Sequence, residues 1–191
     1  MGDYLLFLND DTIVVSPDWL EALLEHAQHA SVGAVGGLLL FPDLRIQHAG
    51  VLLGVYGIGG HAFRLLDSRQ HHYFMFPELT RNCSAVTGAC LMTRRQSFEA
   101  VGGFDEQNLP TCFQDVDYCL KLIEKGYRIV YTPHARLLHY ESATKSSVAE
   151  GNEIEYMRNR WKRYISDDPY YNPNLSRRRE DYSLNFEGPI Q

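Results

Sequence analysis

The chain alternates short apolar runs with polar turns, a pattern typical of an α/β fold. The first run, residues 5–8, leads directly into Asn9, Asp10 and Asp11. Other apolar runs predict buried strands over residues 32–41, 46–55, 83–93, 127–131 and 135–140. Pro133 is expected to interrupt the last two strands because proline cannot donate a backbone hydrogen bond. The runs at 32–41 and 46–55 lie close enough in sequence to pair as a hairpin.

Apolar residues recur at helical spacing elsewhere in the chain. We predict helices over residues 16–29, 95–101, 115–125 and 150–164. Ser16 and Pro17 are favoured at the N-cap and first helical position, so the first helix is expected to start there. Gly126 is expected to end the third helix.

Two segments lack a regular period. Residues 56–79 contain glycines, histidines and aromatic residues without alternation, and loops of this length are usually functional or disordered. A mobile substrate-facing loop and a disordered excursion are both open interpretations. The chain is expected to form one domain over residues 1–165, followed by an irregular extension over 166–191.

Composition narrows the function classes. The 191 residues are 45% hydrophobic and 22% charged, which is typical of a globular domain. The net charge of -6 argues against sequence-independent binding to nucleic acid, which depends on Lys and Arg. The four cysteines form no CxxC pair, so we interpret them as buried thiols in a reducing compartment.

The amino-terminal residues are not expected to carry a targeting signal. The apolar run at residues 5–8 is too short for a signal peptide or a membrane span, so a cytoplasmic location is expected. Only three residues precede the first predicted strand. We therefore expect this chain to be the C-terminal portion of a longer protein.

The adjacent carboxylates of Asp10 and Asp11 indicate a metal and phosphate site. In open α/β sheets, ligands bind outside the carboxyl ends of the strands, where these residues are expected. Carboxylate oxygens suit Mg²⁺ or Mn²⁺, which often bridge a protein to substrate phosphates. The alternative is that the pair closes a turn or caps the next helix.

Further motifs follow in a distinctive order. They read LNDDT with PDWLEALL, then TGACLMTRR, VGGFDE, QDVDYCLKLIEKGY and a strand ending in LLHYES. As a set they resemble the catalytic half of family 2 glycosyltransferases of the GT-A fold, the inverting enzymes that build bacterial polysaccharides. The resemblance covers residues 3–142. It implies a partial GT-A three-layer α/β sandwich with a mixed sheet, lacking the N-terminal nucleotide-binding units.

The resemblance also implies roles at a metal site. Asn9, Asp10 and Asp11 stand at the family's DXD motif, with Asp11 as the expected ligand of Mn²⁺ or Mg²⁺ and the other two near the donor. His139 matches a histidine that completes this site, although a hydrogen-bonded histidine at a strand end is the alternative. The metal would bind the donor diphosphate and offset charge on the leaving nucleotide.

The catalytic base implied by the resemblance is Asp115, which would take the proton from the acceptor hydroxyl. Gln114 stands where the family often has glutamate, so a carboxylate beside the base is lost. Gln114 is still expected to bind donor or acceptor, as are Gly88, Ala89, Gly103 and Asp105. The glycine pair that includes Gly103 is equally explained as a helix stop.

Several polar residues have simpler explanations. Asp117 is expected to be a capping or structural residue, and His48 and His61 are expected to be structural histidines. A metal hypothesis for His61 would reopen if it clustered with His71 and His72.

The implied partners are a nucleotide-diphosphate sugar and a saccharide or lipid-linked saccharide acceptor, with no nucleic acid. Peripheral membrane association of the full-length protein is a further expectation. Without the preceding half, residues 5–8 would expose a strand edge, so the isolated chain is expected to self-associate and to bind donor weakly.

Two other functions stay open from the sequence alone. A nucleotidyltransferase would need a glycine-rich phosphate loop with Lys or Arg, which the chain does not show. A non-catalytic carbohydrate-binding or scaffold domain is the other alternative. Both enzyme hypotheses require Asp11, Asp115 and His139 to converge at one cleft.

Overall fold

The computed structural model describes residues 2–140 and 149–186. The helices and strands are β1 (Tyr4–Leu8), β2 (Thr12–Val14), α1 (Trp19–Ala27), β3 (Val32–Leu40), β4 (Ile46–His48), β5 (Val51–Leu53), β6 (Gly59–His61), β7 (Arg81–Cys83), β8 (Cys90–Arg94), α2 (Arg95–Ala100), α3 (Gln114–Glu124), β9 (Arg128–His139), α4 (Gly151–Arg160) and α5 (Lys162–Ser166). Two 3-10 turns lie at Val55–Gly57 and Tyr73–Glu78. None of the helices described is long and apolar enough to cross a membrane.

The main sheet is mixed, as expected. Within the described residues its seven strands follow the order β1-β8-β3-β9-β2, with β4 also pairing with β3 and β7 with β9. Strands β3 and β9 are parallel, and the other pairs are antiparallel. Strand β1 ends the order, so its outer edge pairs with no strand in this part of the chain.

Strand β3 lies at the centre of a three-layer sandwich. All nine of its residues are buried, which explains its nearly continuous apolar sequence. Val35 and Leu39 belong to the core beneath α1, whereas Ala34 and Leu38 belong to the core beneath α3. Because side chains alternate along a strand, one sequence supplies both cores. The α/β class and the layered architecture predicted from the sequence are confirmed.

The predicted break at Pro133 is wrong, because β9 continues through it to His139. The pairing with β3 shifts instead, from Thr132 opposite Gly37 to Arg136 opposite Leu38. A β-bulge of this kind leaves the proline outside the regular ladder.

The first helix starts later than predicted. It begins at Trp19, and Asp18 occupies the N-cap without a side-chain cap. The hydroxyl of Ser16 instead donates to the His134 carbonyl at 2.7 Å and accepts from the Arg136 amide at 2.9 Å. Ser16 therefore ties the chain to β9 and is not available as a cap.

Two predicted strands are each divided. Residues 46–55 form β4 and β5, separated at Gly50 by a backbone φ of 92°. The hairpin between β3 and β4 is confirmed, while β5 pairs with β6 in a separate sheet. Within residues 83–93, Cys83 is the last residue of β7 and residues 90–93 belong to β8. Residues 84–89 between the two strands form a loop.

The irregular segment 56–79 packs against the rest of the fold. Ile58, Ala62 and Phe63 are buried in the main core, and β6 lies within the segment. A disordered excursion is therefore the wrong interpretation of this segment.

The segment after α5 has little regular structure, but it also packs into the core. Tyr171, Leu175 and Tyr182 are buried there. Asp168 is buried and accepts hydrogen bonds from the Ser84 hydroxyl at 2.5 Å and from the Leu53 amide at 2.7 Å. Burial raises the pKa of Asp168, since the charged carboxylate loses water.

Replacing Asp168 with alanine should lower the free energy of unfolding by about 3 kcal/mol, because buried donors lose their acceptor. Urea denaturation followed by circular dichroism measures the change. The exposed neighbour Asp167 provides the matched control, Asp167→Ala, which should leave stability nearly unchanged. Equal effects of the two substitutions would contradict an anchoring role for Asp168.

Candidate active site

Backbone pairing brings the Asn-Asp-Asp segment to the end of β9. Strands β1 and β2 lie at opposite ends of the strand order and are joined by a three-residue link. In this link, the Asn9 amide donates to the Ala89 carbonyl at 3.1 Å. The Tyr140 amide donates to the Asp11 carbonyl at 3.0 Å, which sets Asp11 beside the preceding residue, His139.

The His139 imidazole contacts three polar side chains. Its Nε2 lies 3.0 Å from Asp11 Oδ1 and 3.1 Å from Asn9 Nδ2. Its Nδ1 lies 2.5 Å from Gln47 Oε1. The ring is only 9% exposed, so its orientation is fixed by these contacts within the protein.

A cavity of about 600 Å³ extends from this imidazole to the start of α3. Six of the residues predicted for the site line it: Asn9, Gly88, Ala89, Gln114, Asp115 and His139. Asp11 is not a lining residue, but it contacts His139, which lines the cavity. Of the three groups that the enzyme hypotheses require, Asp115 and His139 therefore line one cleft, and Asp11 lies next to it against His139.

Asp115 lies in the first turn of α3, where the helix dipole favours a carboxylate. Its Oδ2 accepts from the Gly88 amide at 2.8 Å, and its Oδ1 accepts from the Val116 amide at 2.8 Å. The preceding Phe113 has a left-handed φ of 64°, which is costly for a bulky residue. These contacts hold the carboxylate at the cavity wall with lone pairs left for a ligand.

A buried glutamate stabilises the same wall of the cavity through hydrogen bonds. Glu153 of α4 accepts from the Thr111 and Cys112 amides at 2.8 and 2.9 Å. Burial opposes ionisation of this group, but backbone donors outweigh it and lower the pKa of Glu153. Helix α4 thereby positions the loop that leads into α3.

Three predicted binding residues lie outside the cavity lining. Asp10 is exposed at the link between β1 and β2. The Gly103 carbonyl accepts from Lys121 Nζ at 2.7 Å, and Asp105 accepts from the Tyr156 hydroxyl at 2.7 Å. These bonds are internal to the fold, so the geometry gives no argument for the acceptor contacts that the sequence suggested.

Asp117 has the surroundings of a structural residue. Its carboxylate is fully buried and lies 2.9 Å from Lys121 Nζ and 3.2 Å from Arg160 Nε. The Trp161 indole donates to it at 2.9 Å. Asp117 thus joins α3 to the end of α4.

His48 supports the loop that carries Gly88. Its Nε2 accepts from the Gly50 amide at 3.2 Å and from the Thr87 amide at 3.4 Å. Burial, and then the neighbouring His61, keep the pKa of His48 well below its usual value. The ring is therefore neutral, in line with the structural role expected for it.

The remaining histidines form no separate metal site. His71 pairs with Glu78 at 2.8 Å, and His72 contacts the Asp67 carbonyl at 2.8 Å. His61 lies apart from them at the main cavity. Across residues 2–140 and 149–186, no three His, Cys, Asp or Glu side chains form a ready metal cluster.

Sequence reasoning missed several residues of the cavity wall. They are Gln47, His61, Arg64, Thr87, Cys112 and Phe113. The signal for Gln47 was a side-chain amide within a segment, residues 46–55, that is otherwise mostly apolar. Three cysteines are buried as expected, but Cys112 is half-buried at the cavity.

The chain matches the family described as "Glycosyltransferase like family 2" over residues 1–163. It is 43% identical over 192 residues to the O-antigen biosynthesis protein RfbC of Myxococcus xanthus, covering 96% of this chain and 15% of RfbC. It is also 43% identical over 190 residues to the uncharacterized protein y4gI of Sinorhizobium fredii, covering 96% of this chain and 21% of y4gI.

A more distant relative has a more specific name. The N-acetylglucosaminyl-diphospho-decaprenol L-rhamnosyltransferase of Mycobacterium tuberculosis is 29% identical over 150 residues, covering 71% of this chain and 48% of that protein. The chain therefore spans between about a seventh and a half of the length of these relatives.

The fold also matches a solved glycosyltransferase. The structure of GalNAc-T7 with UDP, GalNAc and Mn²⁺ superposes with a TM-score of 0.61 at 13% identity, covering 86% of this chain and 34% of that one. The chain thus has the architecture of part of a GT-A glycosyltransferase. With the family match over residues 1–163, the chain belongs to glycosyltransferase family 2.

Proposed function

We propose that this protein transfers a sugar from a nucleotide-diphosphate donor to a hydroxyl of a saccharide acceptor, with inversion at the anomeric carbon. One observation carries the proposal: Asp115 and His139 line the same cavity, and Asp11 lies 3.0 Å from His139. Family membership supports sugar transfer in general. The role of each residue is our inference from its position.

Asp11 and His139 would hold a divalent metal ion. A carboxylate oxygen and an imidazole nitrogen 3.0 Å apart form a donor pair that fits Mn²⁺ better than Mg²⁺, which prefers oxygen ligands. Two protein ligands leave most coordination positions for diphosphate oxygens and water. Once bound, the ion would act as a Lewis acid that neutralises charge on the diphosphate.

Asp115 would act as the general base. As the acceptor oxygen attacks the anomeric carbon, its proton passes to the carboxylate of Asp115. The new carbon–oxygen bond forms opposite the bond to the departing nucleoside diphosphate, so a single displacement inverts the configuration. Gln114 cannot replace the base, because its amide donates to the Leu109 carbonyl at 2.6 Å and carries no charge.

The loop at residues 84–89 would let substrate approach the base closely. Gly88 donates its amide to Asp115 and presents no side chain to the cavity. Ala89, the next residue, adds only a methyl group. Small residues of this kind leave room for a sugar ring beside the backbone.

The acceptor is proposed to be a saccharide, in lipid-linked form. The name of the mycobacterial relative, which specifies a diphospho-decaprenol acceptor, supports this class. Peripheral membrane association and a cytoplasmic location stay predictions. Self-association through the outer edge of β1 also stays a prediction, to be measured by light scattering at several protein concentrations.

In the full-length protein, replacing Asp115 with asparagine should lower turnover by about 100-fold or more, because the amide cannot take the acceptor proton. Donor binding should be nearly unchanged. The measurement is release of nucleoside diphosphate across a panel of nucleotide sugars with Mn²⁺ present, combined with calorimetric titration of the donor. Retained transfer in Asp115→Asn would remove this residue from the base role.

Replacing Gly88 with alanine should leave the fold intact but reduce kcat/KM roughly 10- to 100-fold, as expected for a small displacement of reacting groups. The added Cβ would meet only Asp115, at 3.6 and 3.9 Å, so the chain itself has room for it. The methyl group would instead occupy the space beside the base.

The matched control is Gly151→Ala at the start of α4, where a Cβ meets no atom within 4 Å. Steady-state kinetics and thermal unfolding should separate the two variants. Unchanged kinetics in Gly88→Ala would show that substrate does not approach this part of the loop.

A further inference from the structure

Gln47 occupies an unusual position in β4. Its neighbours His48 and Ile46 pair with the consecutive residues Leu39 and Leu40 of β3, so Gln47 is the extra residue of a β-bulge. Bulges change the direction of a side chain and often lie next to active sites. The Gln47 side chain is directed to the cavity wall, where the residue is only 3% exposed.

The contact with His139 determines which ring nitrogen carries the proton. Gln47 Oε1 lies 2.5 Å from His139 Nδ1, and an amide oxygen can only accept. Nδ1 therefore carries a proton, and in the neutral ring Nε2 presents a lone pair. The Asn9 amide group, 3.1 Å from Nε2, is a suitable donor to that lone pair.

This arrangement points two acceptors at each other. With the proton on Nδ1, the Nε2 lone pair lies 3.0 Å from a carboxylate oxygen of Asp11. Two acceptors at this distance repel each other unless a proton on Nε2 or a metal ion lies between or beside them. A neutral imidazole beside a carboxylate is the form that binds a metal ion.

The backbone around Gln47 keeps the contact in place. Strands β4 and β9 lie on either side of β3, where Leu39 pairs with both His48 and Leu137. The Gln47 carbonyl also lies 3.2 Å from Nδ1 of His61, another cavity residue. The acceptor oxygen is thus held on the same rigid sheet as the ring that it orients.

We propose that Gln47 is a positioning residue, which selects the Nδ1-protonated tautomer of His139 and directs Nε2 toward Asp11. Its consequence for metal affinity rests on the function proposed above. Partners of this kind fix the orientation of metal-binding histidines, and their loss typically weakens metal affinity 10- to 100-fold.

The test compares substitutions that differ only in the acceptor. Gln47→Met keeps the length of the side chain and removes the oxygen, whereas Gln47→Glu keeps an acceptor. Nitrogen-15 NMR of the metal-free protein reports the His139 tautomer, and titration with Mn²⁺ alone, followed by electron paramagnetic resonance, gives the Kd. Gln70→Leu, at an exposed glutamine, is the control.

We expect Nδ1 to be protonated in the wild type, in Gln47→Glu and in the control, and the two tautomers to mix in Gln47→Met. The Mn²⁺ Kd should rise 10- to 100-fold in Gln47→Met and stay within a few-fold in the others. Thermal unfolding identifies a variant that fails to fold, and Gln47→Leu then serves as the second test of the lost acceptor.

An unchanged tautomer in folded Gln47→Met would overturn the positioning role, whatever the metal affinity. If the tautomer shifts but the wild type itself binds no Mn²⁺, the metal role of Asp11 and His139 fails while tautomer selection by Gln47 is supported. One set of variants therefore tests the positioning role of Gln47 separately from the metal site of Asp11 and His139.

Discussion

The pairing of β9 with β3 on one side and with β2 on the other is the constraint on which the site depends. The bulge after Thr132 shifts the register so that Leu137 stays paired with β3 and His139 lies opposite Thr12. Asp11 immediately precedes Thr12, and its side chain consequently reaches the imidazole. A change of one residue in this register would turn His139 to the other face of the sheet.

Much of this arrangement was predictable because it depends on local patterns of apolar and polar residues in the sequence. Buried strands such as β3 have continuous apolar runs, and α3 has clear helical spacing with carboxylates in its first turn. The order of the motifs indicated the family. These signals do not require knowledge of which distant segments touch, which is why the sequence could suggest Asp11, Asp115 and His139 as site residues.

The features that were missed depend on contacts between distant segments. Gln47 meets His139 across 92 residues, and a bulge rather than a local pattern directs it there. The strand through Pro133 is continuous because a bulge in β9 shifts its register against β3. Asp168 looked like part of a peripheral extension, yet it binds Ser84, the first residue of the loop that contacts the proposed base. Such contacts depend on strand pairing and burial, and neither can be predicted from the spacing of residues in the sequence.

We propose that Asp11 and His139 form one metal site beside the cavity that Asp115 lines. Anomalous diffraction at the manganese edge, from crystals grown with Mn²⁺ and a nucleoside diphosphate, tests it most directly. We expect one strong anomalous peak within bonding distance of the Asp11 carboxylate and His139 Nε2, with diphosphate oxygens among the other ligands. A fully occupied ion bound elsewhere, or none at saturating Mn²⁺, would contradict it.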